Sequence, residues 1–484
     1  MKKVIIISLL CFVFVCVAAL PTARQMLFPG LVAATDATLM HKLMAPYHAS
    51  SARADTAINQ AITDANINGN SVTLTEGTFN LRASIKPMRG TTFTGQGQRT
   101  VIKKPTALRS LLTVDAVSTD THVHVADSNG FQANDEVYLA ANNKTDFSAE
   151  YYIITSVVGN IVNLTPNVDD TYDIDTQSAV LSNEFPAIRV GKTGLGNYNR
   201  SDVEIKTIKI DGNFANRASD NAFAYRNSLI EIEASSAAET NNVRITDVQL
   251  YNATACSIYS HYAKKVFIHG LIANNTKGKA NWGIQIGGAS RDVVVENCHE
   301  VDSNYGFYVC EQVNNLSVTD LSCGSNDTSA LLIGLNNGPI TFIGCNFYDY
   351  DKVGMTAAQA GSFGTLIGCN FTPLASSAYP GFNITSTSYF TFIGCRGVKG
   401  TAYADTNLMN ISSSNNIGIG WYLRHKHTGA ANTSAAVYYA VGADKNTLIG
   451  SRIIDGDGND VNDLGANNLI LTPAAGVTLN NVVD

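Results

Sequence analysis

The chain has 484 residues, of which 45% are hydrophobic and only 15% charged, with a net charge of −7. Such an acidic chain lacks the basic face that a nucleic-acid partner needs, so DNA and RNA are excluded as ligands. Its length would serve two to four ordinary domains, or one continuous core if the sequence repeats.

The N-terminus opens with Lys2-Lys3, an apolar run from Val4 to Leu20 broken only by Ser8, and then small residues. This is the layout of a secretory signal peptide, cleaved after Ala19 or Ala23. The run also fits the short end of a membrane-spanning signal anchor, in which case residues 1–23 are the chain's one membrane contact. Either reading places the remainder in a secreted, extracellular or cell-surface location. Residues 24–51 show no period and are punctuated by Pro29-Gly30 and Pro46, so they read as a linker or neck.

Residues 52–120 read as an N-terminal cap and the first coils of a solenoid. Ala57, Ile58, Ala61, Ile62 and Ala65 recur at helical spacing behind Asp55 as N-cap, with Gly69 as the stop. Short strand phrases follow at Val72–Leu74, Thr78–Leu81, Thr91–Thr94 and Thr100–Ile102. A helix suits this place because the open end of a stack of strands exposes core and unpaired edges.

The residues of this region carry a family resemblance. Asp55-Thr56-Ala57-Ile58, Val72-Thr73-Leu74, Gly77-Thr78-Phe79, Ile85, Gly90-Thr91-Thr92-Phe93 and Gly95-Gln96-Gly97 together resemble the start of the pectate-lyase superfamily β-helix domain. That domain occurs in pectin-lyase-like bacterial proteins and phage tailspike depolymerases. The chain departs from it at Thr75-Glu76-Gly77-Thr78-Phe79, where Pro-Ala-Gly-Thr-Tyr is usual. The resemblance implies a right-handed parallel β-helix, a polysaccharide partner and, on the tailspike side, a homotrimer as one form of assembly. Activity does not follow from it, because one scaffold hosts many reactions.

Residues 121–182 change rhythm. Val123–Val125, Glu136–Leu139, Tyr151–Ile154 and Asn160–Leu164 are strands joined by hairpin-like turns such as Gly159-Asn160, and they read as an inserted antiparallel β module.

The main β-helix is expected over 183–442. One phrase returns about every 22–26 residues, as Val293-Val-Val-Glu-Asn-Cys298, Leu316-Ser-Val-Thr-Asp-Leu321, Ile340-Thr-Phe-Ile-Gly-Cys345, Gly364-Thr-Leu-Ile-Gly-Cys369 and Phe390-Thr-Phe-Ile-Gly-Cys395. Apolar residues alternate within each copy, and an Asn, Asp or Gly then turns the chain. Of nine cysteines, two fall in the signal segment, and Cys298, Cys345, Cys369 and Cys395 share one register. They are expected to stack inward as free thiols, satisfied by burial without bridges. Residues 443–484 read as a looser C-terminal cap.

Alternation also assigns outward positions. Ile230-Glu231-Ile232-Glu233, Ile258-Tyr259-Ser260-His261, Ile284-Gln285-Ile286-Gly287 and Phe307-Tyr308-Val309-Cys310 align, which makes Glu231, Tyr259, Gln285 and Tyr308 an exposed column with Glu233 and His261 beside it. Trp282 lies close in sequence, and the 214–227 excursion with Arg217 and Asp220 could wall this face. Paired carboxylates with aromatic platforms suit sugar chemistry, with Glu231 and Glu233 as acid and base or nucleophile. In a lyase His261 or Tyr259 would abstract the proton instead. Tyr259, Gln285, Tyr308, Arg217, Asp220 and Trp282 are the substrate-binding candidates. The plain alternative is solvated surface, and a one-residue slip would turn every one of these side chains to the other face.

The expected function is thus engagement of a polysaccharide with cleavage by a glycoside hydrolase or polysaccharide lyase. The rival is a non-catalytic structural or adhesive fibre or viral spike. Polygalacturonase signatures (Gly-His-Gly, Arg-Ile-Lys) are missing. Cys298-His299-Glu300 shares only two letters with the Asp-Pro-His-Glu of alginate epimerases, so His299 and Glu300 read as a corner after an inward Cys. No cofactor or metal is expected. Asp455–Asp460 hints at calcium but has Asp460 where the loop needs Gly and Ala466 where it needs Glu. His425 and His427 lack a third ligand.

Overall fold

The computed structural model describes residues 26–484 apart from 69–70, 142–150, 192–200, 218–226, 235–239, 277–281, 336, 358–360, 374–380, 386–388, 399–407, 425–436, 455–460, 465–467, 472–478 and 481–484. The signal segment, Gly69, Asp220, Asp455–Asp460 and His425 with His427 therefore lie outside the described residues. No described helix is long and apolar enough to cross a membrane. The architecture is a right-handed parallel β-helix with an N-terminal helix and a small antiparallel sheet. The chain forms two compact units, up to Thr254 and from Ala255 onward.

In the first unit the coil begins earlier than the sequence suggests. Leu31–Ala33 pairs in parallel with both Tyr47–His48 and Val72–Leu74, so the stretch read as a neck is the first rung. The helix Ala54–Asn68 buries Ile58, Ala61, Ile62 and Ala65, the periodic face. Asp55 is not its N-cap. It sits in the first turn and accepts a hydrogen bond from the Arg82 backbone N–H at 2.8 Å. The long strand Thr92–Lys103 carries Ser201–Asp211 on its edge, and that strand carries Thr240–Thr246 and Gln249–Tyr251. A second face pairs Ile188–Gly191 with Ile230–Glu233, Arg189 opposite Glu231. The insertion is six antiparallel strands from Arg109–Leu111 to Val180–Ser182, packed on a core of its own that includes Val137, Leu139, Tyr152, Ile154 and Val162.

The second unit has three strands per turn. Tyr259 pairs with Gln285, Gln285 with Tyr308 and Tyr308 with Leu332 along one ladder, and Ile343, Ile367 and Ile393 pair along another. Coiling continues past residue 442, because Thr447–Ile449 still pairs with Leu469–Leu471 and Val461–Asp463 with Leu479–Asn480. Inward positions stack like with like. Phe347, Phe371 and Phe382 have centroids 4.8 and 4.4 Å apart in succession, and Trp421 lies 5.2 Å from Phe382. Each such ring buried contributes about 2–3 kcal/mol.

Cys298, Cys345, Cys369 and Cys395 form the expected buried ladder of free thiols. Burial pushes the Cys298 thiol up to about 11, which leaves little thiolate to oxidise. The residue just before each rung of this ladder turns the corner in the left-handed region: Asn297, Asp320, Gly344, Gly368, Gly394, Gly420 and Gly450 all have φ between 52° and 64°. Only Gly, and after it Asn or Asp, adopts that region cheaply. A Cβ on Gly394 would meet no atom within 4 Å. Gly394→Asn should therefore leave the denaturation midpoint nearly unchanged, while Gly394→Val should cost roughly 1–2 kcal/mol. Equal losses from the two would contradict the shared corner.

Candidate functional site

The first unit places Glu231 and Glu233 on the strand Ile230–Glu233, and both are buried rather than exposed as the alternation alone suggests. For Glu231 the reason is the insertion. Its strands Glu136–Ala140 and Tyr151–Val158 lay Glu136 and Tyr151 against the coil. Tyr151 donates its hydroxyl to Glu231 Oε2 at 3.1 Å. The Arg189 guanidinium stacks 3.7 Å from the Tyr151 ring centroid and forms an ion pair with Glu136. Lys86 adds a contact of 3.7 Å to Glu136, and the Ser84 backbone N–H donates to it at 2.8 Å. Against the cost of its burial, Arg189, Lys86 and Ser84 bring the Glu136 carboxyl down to about 2. Glu231 thus belongs to a buried polar network that fastens the insertion to the coil.

Arg217 is also structural. It is fully buried and donates to the carbonyls of Pro105 at 3.0 Å and Asn183 at 3.2 Å, so it does not wall an open face.

The second unit brings together the remaining described candidates. On the strands Cys256–His261, Trp282–Gly287 and Tyr305–Val309 the outward side chains pack sideways on one another. Tyr259 stacks on His261 at 5.5 Å between centroids, and His261 meets Tyr262 edge-on at 4.7 Å. Gly288 makes the room, since a Cβ there would lie 2.2 Å from His261 Nε2. Gln285 bridges two thiols, accepting from Cys256 Sγ at 3.5 Å and donating to Cys310 Sγ at 3.3 Å. Tyr259, His261 and Gln285 are consequently buried although they point away from the coil interior. Trp282 and Tyr308, 5.0 Å apart, remain half-buried, as does Tyr305, which pairs directly with Trp282. The result is an aromatic surface of three half-buried rings on strands that also carry the buried amide, thiol and imidazole groups. Tyr305 was missed in the sequence because the alternation breaks at Gly306. There two successive positions point inward, so simple alternation fails.

Glu300 was misassigned as a corner. It points into the coil, is fully buried, and pairs on the ladder with Cys323. Cys323 Sγ and Asn326 Nδ2 each donate to its Oε2 at 3.1 Å, while Oε1 has no hydrogen-bond partner among the described residues. Gly283 and Gly306 admit it, for a Cβ on Gly283 would lie 2.4 Å from Glu300 Cγ. A glycine inside a strand was the available signal. Burial raises this carboxyl to about 7. Its folded pKa lies above the unfolded value, so its penalty is absent at pH 4, grows as pH rises from about 4.5 to 7, and is complete above 7. Glu300→Gln should therefore gain on the wild type across that window, by on the order of 3 kcal/mol at pH 8. Parallel stability–pH curves for the two proteins would contradict this.

Among the described residues no group of three or more His, Cys, Asp or Glu could hold a metal ion. No protein-family model matches the chain, and no curated protein matches it by sequence. Solved structures do match in fold. The A-modules of the Azotobacter vinelandii mannuronan C-5 epimerases AlgE6 and AlgE4 each give a TM-score of 0.57 at 14% identity. The first covers 88% of this chain and 97% of its own, the second 87% and 96%. DFA-IIIase from Arthrobacter chlorophenolicus, in complex with GF2, gives 0.51 at 12% identity over 93% of this chain and 100% of its own. At such identities the likeness is one of fold.

Proposed function

We propose that this chain engages a polysaccharide outside the cell, through the aromatic surface of Trp282, Tyr305 and Tyr308. The observation that carries this reading is three half-buried rings grouped on adjacent rungs, with Trp282 and Tyr308 5.0 Å apart. Aromatic rings held in this way offer flat apolar faces with polar edges, which suit the apolar face and hydroxyl rim of a sugar. Rings already half-buried on strands lose less side-chain entropy on binding than free ones would. A mannuronan-acting enzyme among the fold neighbours supports the substrate class. The signal-like residues 1–23 would export the chain.

Cleavage by Glu231 and Glu233, with His261 as the alternative proton acceptor, is the competing activity. The engagement of Glu231 by Tyr151 beside Arg189 favours binding over cleavage, because a carboxylate committed to holding the insertion is poorly placed to meet substrate. Incubating the purified protein with a panel of neutral and acidic polysaccharides separates the two. Retention without new reducing or unsaturated ends is the expected result, and Trp282→Ala and Tyr308→Ala should each weaken it about tenfold. New ends that vanish in Glu231→Gln or Glu233→Gln would replace binding with catalysis. Neither retention nor products would leave a structural fibre.

A further inference from the structure

A different face of the second unit carries apolar surface that the glycan reading does not use. The side chains of Ile343, Ile367, Ile393, Ile419, Ile449 and Leu471 stand on consecutive rungs of one outward column, each 36–53% exposed. Two residues earlier on the same strands runs a second column, Thr341, Thr365, Thr391, Ile417, Thr447 and Leu469. Phe363 and Tyr389, paired with each other and 46% and 44% exposed, flank it. Between these aromatics and the threonines lies an open groove of about 270 Å³. Neither column contains a charged residue, in a chain whose net charge is −7.

We infer that this face is a self-association surface, on which a second copy of the chain packs face to face. The reading is independent of the glycan proposal. Two physical arguments select this occupant. The first is area. At roughly 200 Å² for a fully exposed side chain of this size, the ten large apolar residues present on the order of 800 Å². That exceeds the patch an ordinary monomer leaves in water and reaches the ~800 Å² per partner of a stable interface. The second is period. The columns repeat at the strand spacing of ~4.8 Å over six rungs, so only a surface with the same repeat can interdigitate along their whole length. An identical column on a second copy has that repeat. Its lack of charge lets two acidic chains meet there without like charges opposing. Face-to-face pairing of one patch with itself is a closed two-fold arrangement, so it yields a dimer. A tailspike-like homotrimer would need a different contact.

Sedimentation velocity of the full-length protein over a range of concentrations tests this. A concentration-dependent dimer is expected, with its dissociation constant raised roughly a hundredfold or more in the double variant Ile367→Lys/Ile419→Lys. Asn383→Lys places the same charge on another face and should leave the dimer intact. If the lysine variant does not fold, Ile367→Thr/Ile419→Thr, which copies the neighbouring threonine column, should still weaken the dimer about tenfold. A wild-type monomer at every concentration, a trimer, or a dimer indifferent to all substitutions at 367 and 419 would overturn the inference. So would a monomeric wild type whose glycan retention is lost in the double variant, an outcome that would give the face to carbohydrate.

Discussion

Everything in this protein depends on the register of one parallel strand upon the next. Within each unit, a residue's partner on the following rung fixes whether it points inward, and the same position on every rung then faces the same surroundings. The αL corners at Asn297, Asp320 and Gly344 through Gly450 hold that register mechanically, by making each turn at the same place. A slip of one residue would expose the thiol ladder and the aromatic stack together, so many contacts oppose it at once. Regular stacking also explains why the outer face comes in columns. A feature placed on one rung, such as an exposed Ile, is repeated at small cost on the next.

Much of this fold was legible because its signal is repeated. The phrase ending in Cys298, Cys345, Cys369 and Cys395 states the rung, the corner and the inward thiol, and the structure places all of them accordingly. The rung Leu31–Ala33 was not legible, since a single short strand between Pro29 and Pro46 has no repeat to announce it. The site was read less well. Alternation assigned the outward direction of Glu231, Tyr259 and Gln285 but carried no information about what lies over them. Glu231 is covered through the insertion, a long-range contact across 80 residues to Tyr151. Glu300 failed for the opposite reason: a charged residue was expected outside, and only the paired glycines at 283 and 306 betray the space reserved for it.

The two buried acids show how the same desolvation is resolved in different ways. Glu136 lies among Arg189, Lys86 and the Ser84 backbone, so its charged form is favoured and its carboxyl falls to about 2. Glu300 has donors to one oxygen and no cation, so burial dominates and its carboxyl rises to about 7. The first therefore helps the fold as pH rises from the acid range, and the second opposes it above about 4.5. Paired acid fastens the insertion to the coil, while unpaired acid makes one turn of the second unit sensitive to pH. Both are fully buried. What remains accessible on the strands around Gln285 is aromatic, and this is why the functional reading rests on rings rather than on carboxylates.

The central claim is that a polysaccharide lies on Trp282. The chain has two tryptophans, and Trp421 is 1% exposed inside the coil, so an aqueous quencher such as iodide reports on Trp282 alone. Iodide quenching of tryptophan emission, measured with and without each polysaccharide, tests the claim most directly. The account predicts that a retained polysaccharide protects the quenchable fraction in a saturable manner, and that Tyr308→Ala weakens this protection in step with retention. A polysaccharide that is bound while Trp282 stays as open to iodide as before would contradict it.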